Sequence, residues 1–222
     1  MSTAGEPVEL VSPGNLSAMR MRVRQTSDEA NPEQRFPMFG GRPCLNLIAT
    51  LGRRHAQPVE RLPDSEALVA WLIAMRLLPS DSAVPVTARQ LRAVRELREV
   101  AHRLVRATMA GQVLRSADVA RLNKVAARPD LAPQLRGGAD EQCHQVVRWG
   151  EQDPVDATLA TLARDVVLLV SDPRTSRIKE CEHPDCSLLF FDDSQSGKRR
   201  WCSMDRCGNL MKIASYRQRP RP

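Results

Sequence analysis

The chain has 222 residues, of which 42% are hydrophobic and 4% aromatic. This length fits one large or two small domains, and the apolar fraction can bury a core, which excludes a chain disordered throughout. The scarcity of aromatic residues weighs against a groove that stacks successive bases. The longest aliphatic run, residues 166–170, is far shorter than the ~20 residues that cross a bilayer, and the first thirty residues show no secretory signal. We therefore expect a cytoplasmic protein with no membrane partner.

The net charge of +7 is concentrated at one end of the chain. Residues 197–222 contain eight lysines and arginines and a single acidic residue, Asp205, whereas the remaining residues are balanced. Such a basic block favours a polyanionic partner, most simply a nucleic acid, and the alternative is a solubilising tail. The 29 arginines against 4 lysines indicate a coding bias typical of a bacterial genome rich in G and C.

The N-terminal part of the chain changes character near residue 36. Residues 1–35 are polar, contain three prolines and show no period, which predicts a flexible extension. Apolar residues then recur at helical spacing from Cys44 to Leu51. Asp64 follows a proline and can cap a helix that runs to about Met75. These segments open a helical domain over residues 36–172.

A long helix is predicted from Thr87 to near Gly111. Thr87 and Gln90 have the spacing of a capping box, and an apolar stripe follows them. The opposite face of this helix is charged and could bind phosphate, although a solvated face is the more common reading. Its members are Arg92, Arg95, Glu96, Arg98, Glu99, Arg103 and Arg106.

The second half of the helical domain mixes helix and strand. Ser116 begins a short helix, and Gly137-Gly138 lies between two short apolar stretches, which predicts a β-hairpin. Asp153 and Pro154 have the pattern of an N-cap and first helical position. The helix that they begin runs to about Val170 and is apolar on most sides, so we expect it to be the central buried helix. Residues 171–173 mark the end of the domain.

Four of the six cysteines form two close pairs in the C-terminal part of the chain. Cys181 and Cys186 make one pair, and Cys202 and Cys207 make the other after fifteen intervening residues. Two such pairs separated by a hairpin-sized insert favour a structural Zn²⁺ with four thiolate ligands. Disulfides are the competing reading, disfavoured because nothing routes the chain to an oxidising compartment. Unmetallated redox cysteines and a reactive zinc are weaker alternatives.

The residues around the cysteine pairs predict a small treble-clef-like unit. Ile178 precedes the first pair, and residues 188–191 follow it, which is enough for two short strands joined by a turn at 192–197. A helix begins near Gly208. We expect its face with Leu210, Ile213 and Ala214 to cover the small core, and a second face to present Lys212, Tyr216 and Arg219. In a unit this small the metal supplies much of the folding free energy.

The motifs of this unit resemble the CGNR zinc finger. They are CEHPDC at 181–186, the FFD step at 190–192 and GKRRWCSMDRCGN at 197–209. The resemblance covers about the last 45 residues and implies a structural zinc ion. One position departs from the motif, because Leu210 stands where its final Arg is expected. If that Arg contacts nucleic acid, one contact is lost here, and if it packs, Leu is a mild change.

The preceding domain resembles the helical ABATE domain that usually accompanies this finger. The segments that carry the resemblance are 40–51 and 64–78, with Asn46 where Asp is usual and Ala49 where Asn is usual. If those polar residues line a pocket in relatives, the pocket is altered here. The resemblance implies a mostly α (α+β) fold, with a helical domain over 36–172 that includes a small β-hairpin, and a zinc finger over 174–222. It also implies a stress-linked bacterial transcription regulator, with RNA binding as a further suggested role.

We therefore predict a DNA-binding regulator, associated with the nucleoid, with RNA binding and a protein-interaction module as alternatives. The helical domain would sense a small-molecule effector or form a homodimer. An enzyme is disfavoured because the four histidines lack a metal or nucleophile spacing and no phosphate-binding loop is present. The candidate nucleic-acid contacts are Lys198, Arg199, Arg200, Arg206, Lys212, Tyr216, Arg217 and Arg219.

Overall fold

A computed structural model describes residues 8–10, 36–78, 84–137, 144–148 and 153–217. The chain is about half helical, as predicted. In the described part, none of the helices combines the length and apolar character needed to cross a membrane. The α-helices are α1 (Pro43–Ile48), α2 (Ser65–Ala74), α3 (Ala88–Met109), α4 (Ser116–Ala126), α5 (Pro154–Val170) and α6 (Asn209–Arg217). The strands are β1 (Val8–Leu10), β2 (Leu51–Gly52), β3 (Val59–Glu60), β4 (Ala132–Arg136), β5 (His144–Arg148), β6 (Ile178–Glu180) and β7 (Leu189–Phe191).

The helix starts follow the capping signals in the sequence. Asp64 accepts a hydrogen bond from the Ala67 N–H at 2.7 Å at the start of α2. At the start of α3, the Thr87 Oγ1 accepts from the Gln90 N–H, and the Gln90 Oε1 accepts from the Thr87 N–H, which confirms the predicted capping box. Asp153 caps α5 in the same manner. Each cap satisfies amide groups that the helix itself leaves unpaired.

The main core lies between α1, α2, α3 and α5. Trp71, Leu45 and Leu162 are fully buried there, and apolar residues on both sides of α5 are covered along most of its length. The prediction that α5 is the central helix is therefore confirmed. Only its last turns differ, because Val167 and Leu168 are 38% and 63% exposed.

The predicted hairpin is present, and a third strand extends it. β4 and β5 pair antiparallel, and β1 adds to the free edge of β5 in the order β1-β5-β4. Val8–Leu10 therefore form a strand inside the segment predicted to be a flexible extension. Three residues are too few for a periodic signal, so this pairing could not be found from the local pattern. The rest of residues 1–35 lies outside the described part of the chain.

A short second hairpin, β2–β3, was not predicted. Leu51 was expected on the helical face that begins at Cys44, but α1 ends at Ile48 and Leu51 begins β2, where it pairs with Glu60. Arg53 follows β2 with φ of 53°, a left-handed conformation that is uncommon for residues other than glycine. The turn after β2 contacts the C-terminal unit, because the Arg54 N–H donates to the Ser187 hydroxyl group at 3.0 Å.

Part of the charged face of α3 is paired with other elements, which corrects the prediction of a wholly solvated face, whereas Arg92 and Glu96 are exposed as predicted. Arg98 is 3% exposed and donates to both carboxylate oxygens of Glu60 at 2.7 Å. Arg103 pairs with Asp118 at 2.7 Å, and Arg106 pairs with Glu180 at 2.5 Å. The carboxylates come from other elements, so the local sequence of α3 gives no sign of them. This face joins α3 to its neighbours through ion pairs.

Candidate metal centre and nucleic-acid interface

The four paired cysteines converge on one point. One sulfur atom from each of Cys181, Cys186, Cys202 and Cys207 lies within 4.8 Å of all the others. The Sγ–Sγ distances are 3.6 Å between Cys202 and Cys207 and 3.9 Å between Cys186 and Cys202. A disulfide needs about 2.05 Å, whereas Zn–S bonds of about 2.3 Å in a tetrahedron separate the sulfurs by about 3.8 Å. The cluster therefore fits a zinc ion, and all four cysteines are free thiols.

The β6–β7 hairpin positions the first cysteine pair. Cys181 directly follows β6, and its N–H donates to the Leu188 carbonyl at 2.9 Å, just before β7 begins. The Cys186 N–H donates to the His183 carbonyl at 2.9 Å, which closes a tight turn between the two cysteines. This geometry presents both sulfurs on the same side of the turn.

A buried carboxylate orders the segment that delivers the second pair. Asp192 is fully buried and accepts hydrogen bonds from Lys179 Nζ at 2.8 Å and from the Arg199 N–H at 2.9 Å. Ser194 donates to it through both its N–H and its hydroxyl group. Burial alone would raise the pKa of Asp192, but Lys179 and these donors hold it well below its usual value. The charged carboxylate thus fixes the turn that leads to Cys202.

The electrostatics of the sulfur cluster call for a cation. Hydrogen bonds from the other cysteines lower the pKa of the Cys181 thiol, whereas the same contacts and burial raise the pKa of Cys202. Burial and the charges of neighbouring sulfurs raise the pKa of Cys207 to about 12. Four thiolates this close together, three of them buried and Cys186 partly buried, cannot all carry their charge unless a positive ion lies between them. The backbone N–H of His183 and that of Leu188 further stabilise negative charge on the first pair.

The cysteine cluster shares its core with the helical domain. Ala49 from the end of α1 is 4% exposed and packs with Cys181, Phe190 and Cys202, and Phe39 covers the same cluster. The Phe191 N–H donates to the Gly40 carbonyl at 2.9 Å. Polar contacts extend this interface. The Arg54 N–H donates to the Ser187 hydroxyl group at 3.0 Å, and the His55 Nε2 lies 2.6 Å from a carboxylate oxygen of Glu180. The C-terminal unit is therefore docked against the helical domain.

Two family models match adjacent parts of the chain. The ABATE model, described as "Putative stress-induced transcription regulator", matches residues 41–173, which is more than half of the chain. The chain belongs to the ABATE family. The CGNR zinc finger model matches residues 177–220 of this ABATE protein, so the predicted arrangement of the two is confirmed. No curated protein matches the sequence.

The matched families agree with the geometry. This ABATE protein carries a zinc finger whose four clustered cysteines could bind a zinc ion. Both families are regulatory or zinc-finger families, and neither description names an enzyme. At the two positions that depart from the expected ABATE pattern, Asn46 accepts a hydrogen bond from the Gly40 N–H at 2.9 Å, and Ala49 belongs to the shared core.

Three of the predicted nucleic-acid contacts are exposed on the zinc finger of this ABATE protein. Lys198 and Lys212 are exposed, and neither side chain makes a hydrogen bond or ion pair in the described part of the chain. Arg200 has a side chain that is 63% exposed, pairs with Glu182 at 2.6 Å and stacks on the Trp201 ring at 5.1 Å. These three cations form the described part of the basic surface.

The other predicted contacts differ in their surroundings. Arg199 donates to the carbonyls of Trp201 and Cys202 and stacks on the Phe190 ring at 4.6 Å, so its guanidinium supports the zinc finger from within. Arg206 is partly buried and lies 5.6 Å from the Phe39 ring. Three further candidates fall wholly or in their side chains outside the described residues. They are Tyr216, Arg217 and Arg219.

The prediction that one face of α6 covers the zinc-finger core is wrong. Leu210 and Ile213 are 54% and 49% exposed, and Met204 just before the helix is 44% exposed. The reason is that Ala49 and Phe39 of the helical domain cover the zinc-finger core, so α6 is not needed to close it. Helix α6 instead extends from the finger with apolar and basic side chains both facing solvent.

Proposed function

We propose that this protein is a DNA-binding transcription regulator whose zinc finger presents a basic surface to the duplex. The observation that supports this proposal is the exposure of Lys198, Arg200 and Lys212 on the zinc finger. In this proposal Cys181, Cys186, Cys202 and Cys207 hold the zinc ion. When bound, the ion supplies folding free energy and takes no part in a chemical reaction.

Phosphate contacts account for the affinity in this proposal. Each lysine or arginine that neutralises a phosphate releases counterions, so that binding weakens steeply as salt rises. Helix α6 has a width that fits the major groove, and Lys212 is exposed on it. Lys212 and Tyr216 are the candidates for contacts with base edges, and Arg217 and Arg219 extend the basic surface along the chain.

The helical domain is the regulatory part in this proposal. It is docked on the zinc finger through a shared core and through the contacts of Arg54 and His55. A change of ligand or oligomeric state in the helical domain therefore has a direct route to the DNA-binding unit.

The proposal is tested by titrating the full-length, zinc-loaded protein against labelled duplex DNA at several salt concentrations. Three exposed cations predict a log–log salt slope at least as steep as about −3. A slope of about −1 or shallower would contradict the proposal. Competition between the duplex and structured RNA is the second arm, and preference for RNA would replace DNA with RNA as the partner.

A second candidate function is protein interaction through α6. The exposed side chains of Met204, Leu210 and Ile213 form an apolar surface that a DNA-binding role does not require. Replacing Leu210 and Ile213 with Ser, and measuring the mass of the particle in solution, tests this role. If the wild type is a dimer and the variant is a monomer with unchanged DNA affinity, this surface mediates protein interaction. DNA binding is then assigned to the exposed cations alone.

A further inference from the structure

A cleft of ≈ 280 Å³ lies where the zinc finger meets the helical domain. One side is formed by the β2–β3 hairpin, which contributes Arg53 and Arg61. The other side is formed by the zinc finger, which contributes His183, Arg206 and Leu210. The volume is near the lower end of the range for small-molecule sites, about 300–1,000 Å³. Both units therefore build one small concave site.

Arg61 is the least satisfied polar group in this cleft. Its Nε is buried and has no hydrogen-bond partner, and its side chain makes no ion pair among the described residues. Its Nη2 lies 3.3 Å from the point where a Cβ would stand at Gly52, so the guanidinium rests against the backbone of β2. A buried donor without a partner is unfavourable. The Arg61 guanidinium therefore has hydrogen-bonding capacity that no described residue uses.

A second guanidinium faces the same space. Arg206 makes a cation–π contact with Phe39 but has no carboxylate partner in the part of the chain that the structure describes. Arg61 and Arg206 both line the cleft. Burial, and after it the charge of Arg206, lower the pKa of Arg61, whereas the charges of Cys186 and Glu60 raise it. Two guanidinium groups in one cleft, neither of them hydrogen-bonded to a carboxylate of the described residues, are complementary to an added anion.

The cleft also contains negative groups, because the candidate zinc ligands Cys186 and Cys207 line it together with one carboxylate. Arg53 lies at the rim in a left-handed conformation, with φ of 53°. Asp185 is the one acidic residue of the lining, and it already lies 3.8 Å from Arg53, with both side chains largely exposed.

We propose that this cleft binds the phosphate or carboxylate group of a small molecule between Arg61 and Arg206, with Arg53 at the rim. The planar guanidinium fork matches both groups through paired hydrogen bonds. Leu51, Leu188 and Leu210 give the rest of the ligand an apolar wall. The ligand would contact the zinc finger and the helical domain at once, and so tighten their docking.

One structural role competes with this proposal. A zinc ion with four thiolates carries a net negative charge, and the charge of Cys186 acts on Arg61. The two arginines could then serve only to neutralise the metal centre. The two roles differ in what added anions do, since neutralisation alone gives no saturable binding of phosphate.

Calorimetric titration of the full-length, zinc-loaded protein with inorganic phosphate, and separately with succinate, tests the proposal. We expect saturable binding of at least one of them, and protection against zinc removal by a chelator, relative to chloride at equal ionic strength. Arg61→Gln and Arg206→Gln should each weaken binding at least tenfold, which is about 1.4 kcal/mol, because each removes charge-assisted hydrogen bonds to the anion. Arg61→Lys, which keeps the charge but loses the fork, should have a smaller effect.

Arg174→Gln is the matched control, because Arg174 is exposed, pairs with Asp172 and does not line the cleft. Leu210→Arg adds a guanidinium at the cleft edge without a burial cost and should tighten binding severalfold. The proposal is overturned if neither anion binds better than chloride. It is also overturned if the Arg61 and Arg206 variants lose zinc or DNA affinity while phosphate and succinate affinity stays unchanged. Because the probes contain no DNA, failure here leaves the proposed regulator function untouched.

Discussion

Two arginine-rich regions of this chain use their charge in opposite ways. On α3, Arg98, Arg103 and Arg106 each pair with a carboxylate that another element supplies. On the zinc finger, Lys198 and Lys212 are exposed and have no such partner in the described part of the chain. The first region stabilises the fold, and the second is available to bind an external anion.

The difference shows that a run of basic residues does not by itself identify a binding surface. Whether a run of basic residues can bind an external partner depends on whether the tertiary structure places carboxylates beside it. The α3 face meets Glu60 and Asp118 within the helical domain and Glu180 from the zinc finger. In the C-terminal block Arg200 pairs with Glu182 at 2.6 Å, but Lys198 and Lys212 have no carboxylate partner among the described residues, so their charge stays available after folding.

Removing a zinc ligand should have the largest effect of the changes predicted here, because it unfolds one of the two regions compared. Cys202→Ser takes a buried sulfur out of the cluster, and structural zinc in small units is worth roughly 10–16 kcal/mol of apparent binding free energy. We expect loss of the metal, unfolding of the zinc finger and loss of DNA binding. Helical circular dichroism should persist with a lower Tm, because Ile178 and Leu189 of the finger belong to the main core.

Metal analysis of the purified protein checks this prediction. Cys44→Ser is the matched control, because Cys44 is equally buried but lies in α1 outside the sulfur cluster. This control should retain zinc. Full metal retention by Cys202→Ser would contradict ligation by four thiolates.

Breaking the α3 ion pairs should lower stability and leave the basic surface intact. Arg98→Met removes the partner of Glu60 from a site where the arginine side chain is 4% exposed. The Glu60 side chain left behind is 31% exposed and keeps Arg95 at 3.9 Å, so the loss should be smaller than the roughly 3–5 kcal/mol that breaking a fully buried pair costs. Urea unfolding should show this loss. DNA affinity, measured where the variant is fully folded, should match that of the wild type, and a weaker affinity would mean that α3 also contacts DNA.

The sequence predicts those parts of the fold that depend on neighbours in the chain. Capping residues such as Thr87 and Asp153, the apolar periodicity of α5 and the spacing of the four cysteines all act over a few residues. They predicted the helices, the β4–β5 hairpin whose strands flank Gly137, the β6–β7 hairpin and the clustering of the sulfurs. Local rules suffice there because the stabilising contacts are themselves local.

The missed features all depend on distant partners. Strand β1 needs the edge of β5, and the ion pairs of α3 need carboxylates 15 to 74 residues away. The exposure of Leu210 and Ile213 follows from Ala49, which covers the zinc-finger core from the helical domain. The cleft with Arg61 and Arg206 is also invisible in the sequence, because its two walls come from different units.

Charge reversal on the zinc finger should weaken DNA binding and spare the fold. Lys198→Glu with Lys212→Glu changes two exposed side chains that make no described contact, so unfolding free energy should change by less than about 0.5 kcal/mol. The DNA dissociation constant should rise at least tenfold, and the salt slope should become shallower by about 2. Arg89→Glu with Lys124→Glu makes the same change in net charge at two exposed side chains of the helical domain and serves as the charge control. Equal losses of DNA affinity in both variants would mean that the net charge of the protein, and not this surface, determines DNA binding.

The smallest predicted effect is a pH dependence of stability from the paired face of α3. Burial, and then the charge of Arg54, lower the pKa of His102 to about 4. The other charged groups that act on the ring are Glu99, Arg106 and Glu180. The unfolded chain takes up the proton near pH 6.5 and the folded chain does not, so stability should fall as pH is lowered from about 6.5 to about 4.

The His102 contribution can be isolated by substitution. Because the ring is partly exposed, solvent screening reduces the effect, and we expect about 1 kcal/mol between pH 7 and pH 5. His102→Gln cannot take up a proton and should remove that part of the slope, as measured by urea unfolding with zinc content checked at each pH. Glu99 contributes in a separate window, because Arg54 and Arg98 outweigh its burial and lower its pKa to about 2, so its stabilisation is lost only below about pH 4.5. An unchanged slope in His102→Gln would mean that the histidine is protonated as readily in the folded chain as in the unfolded one.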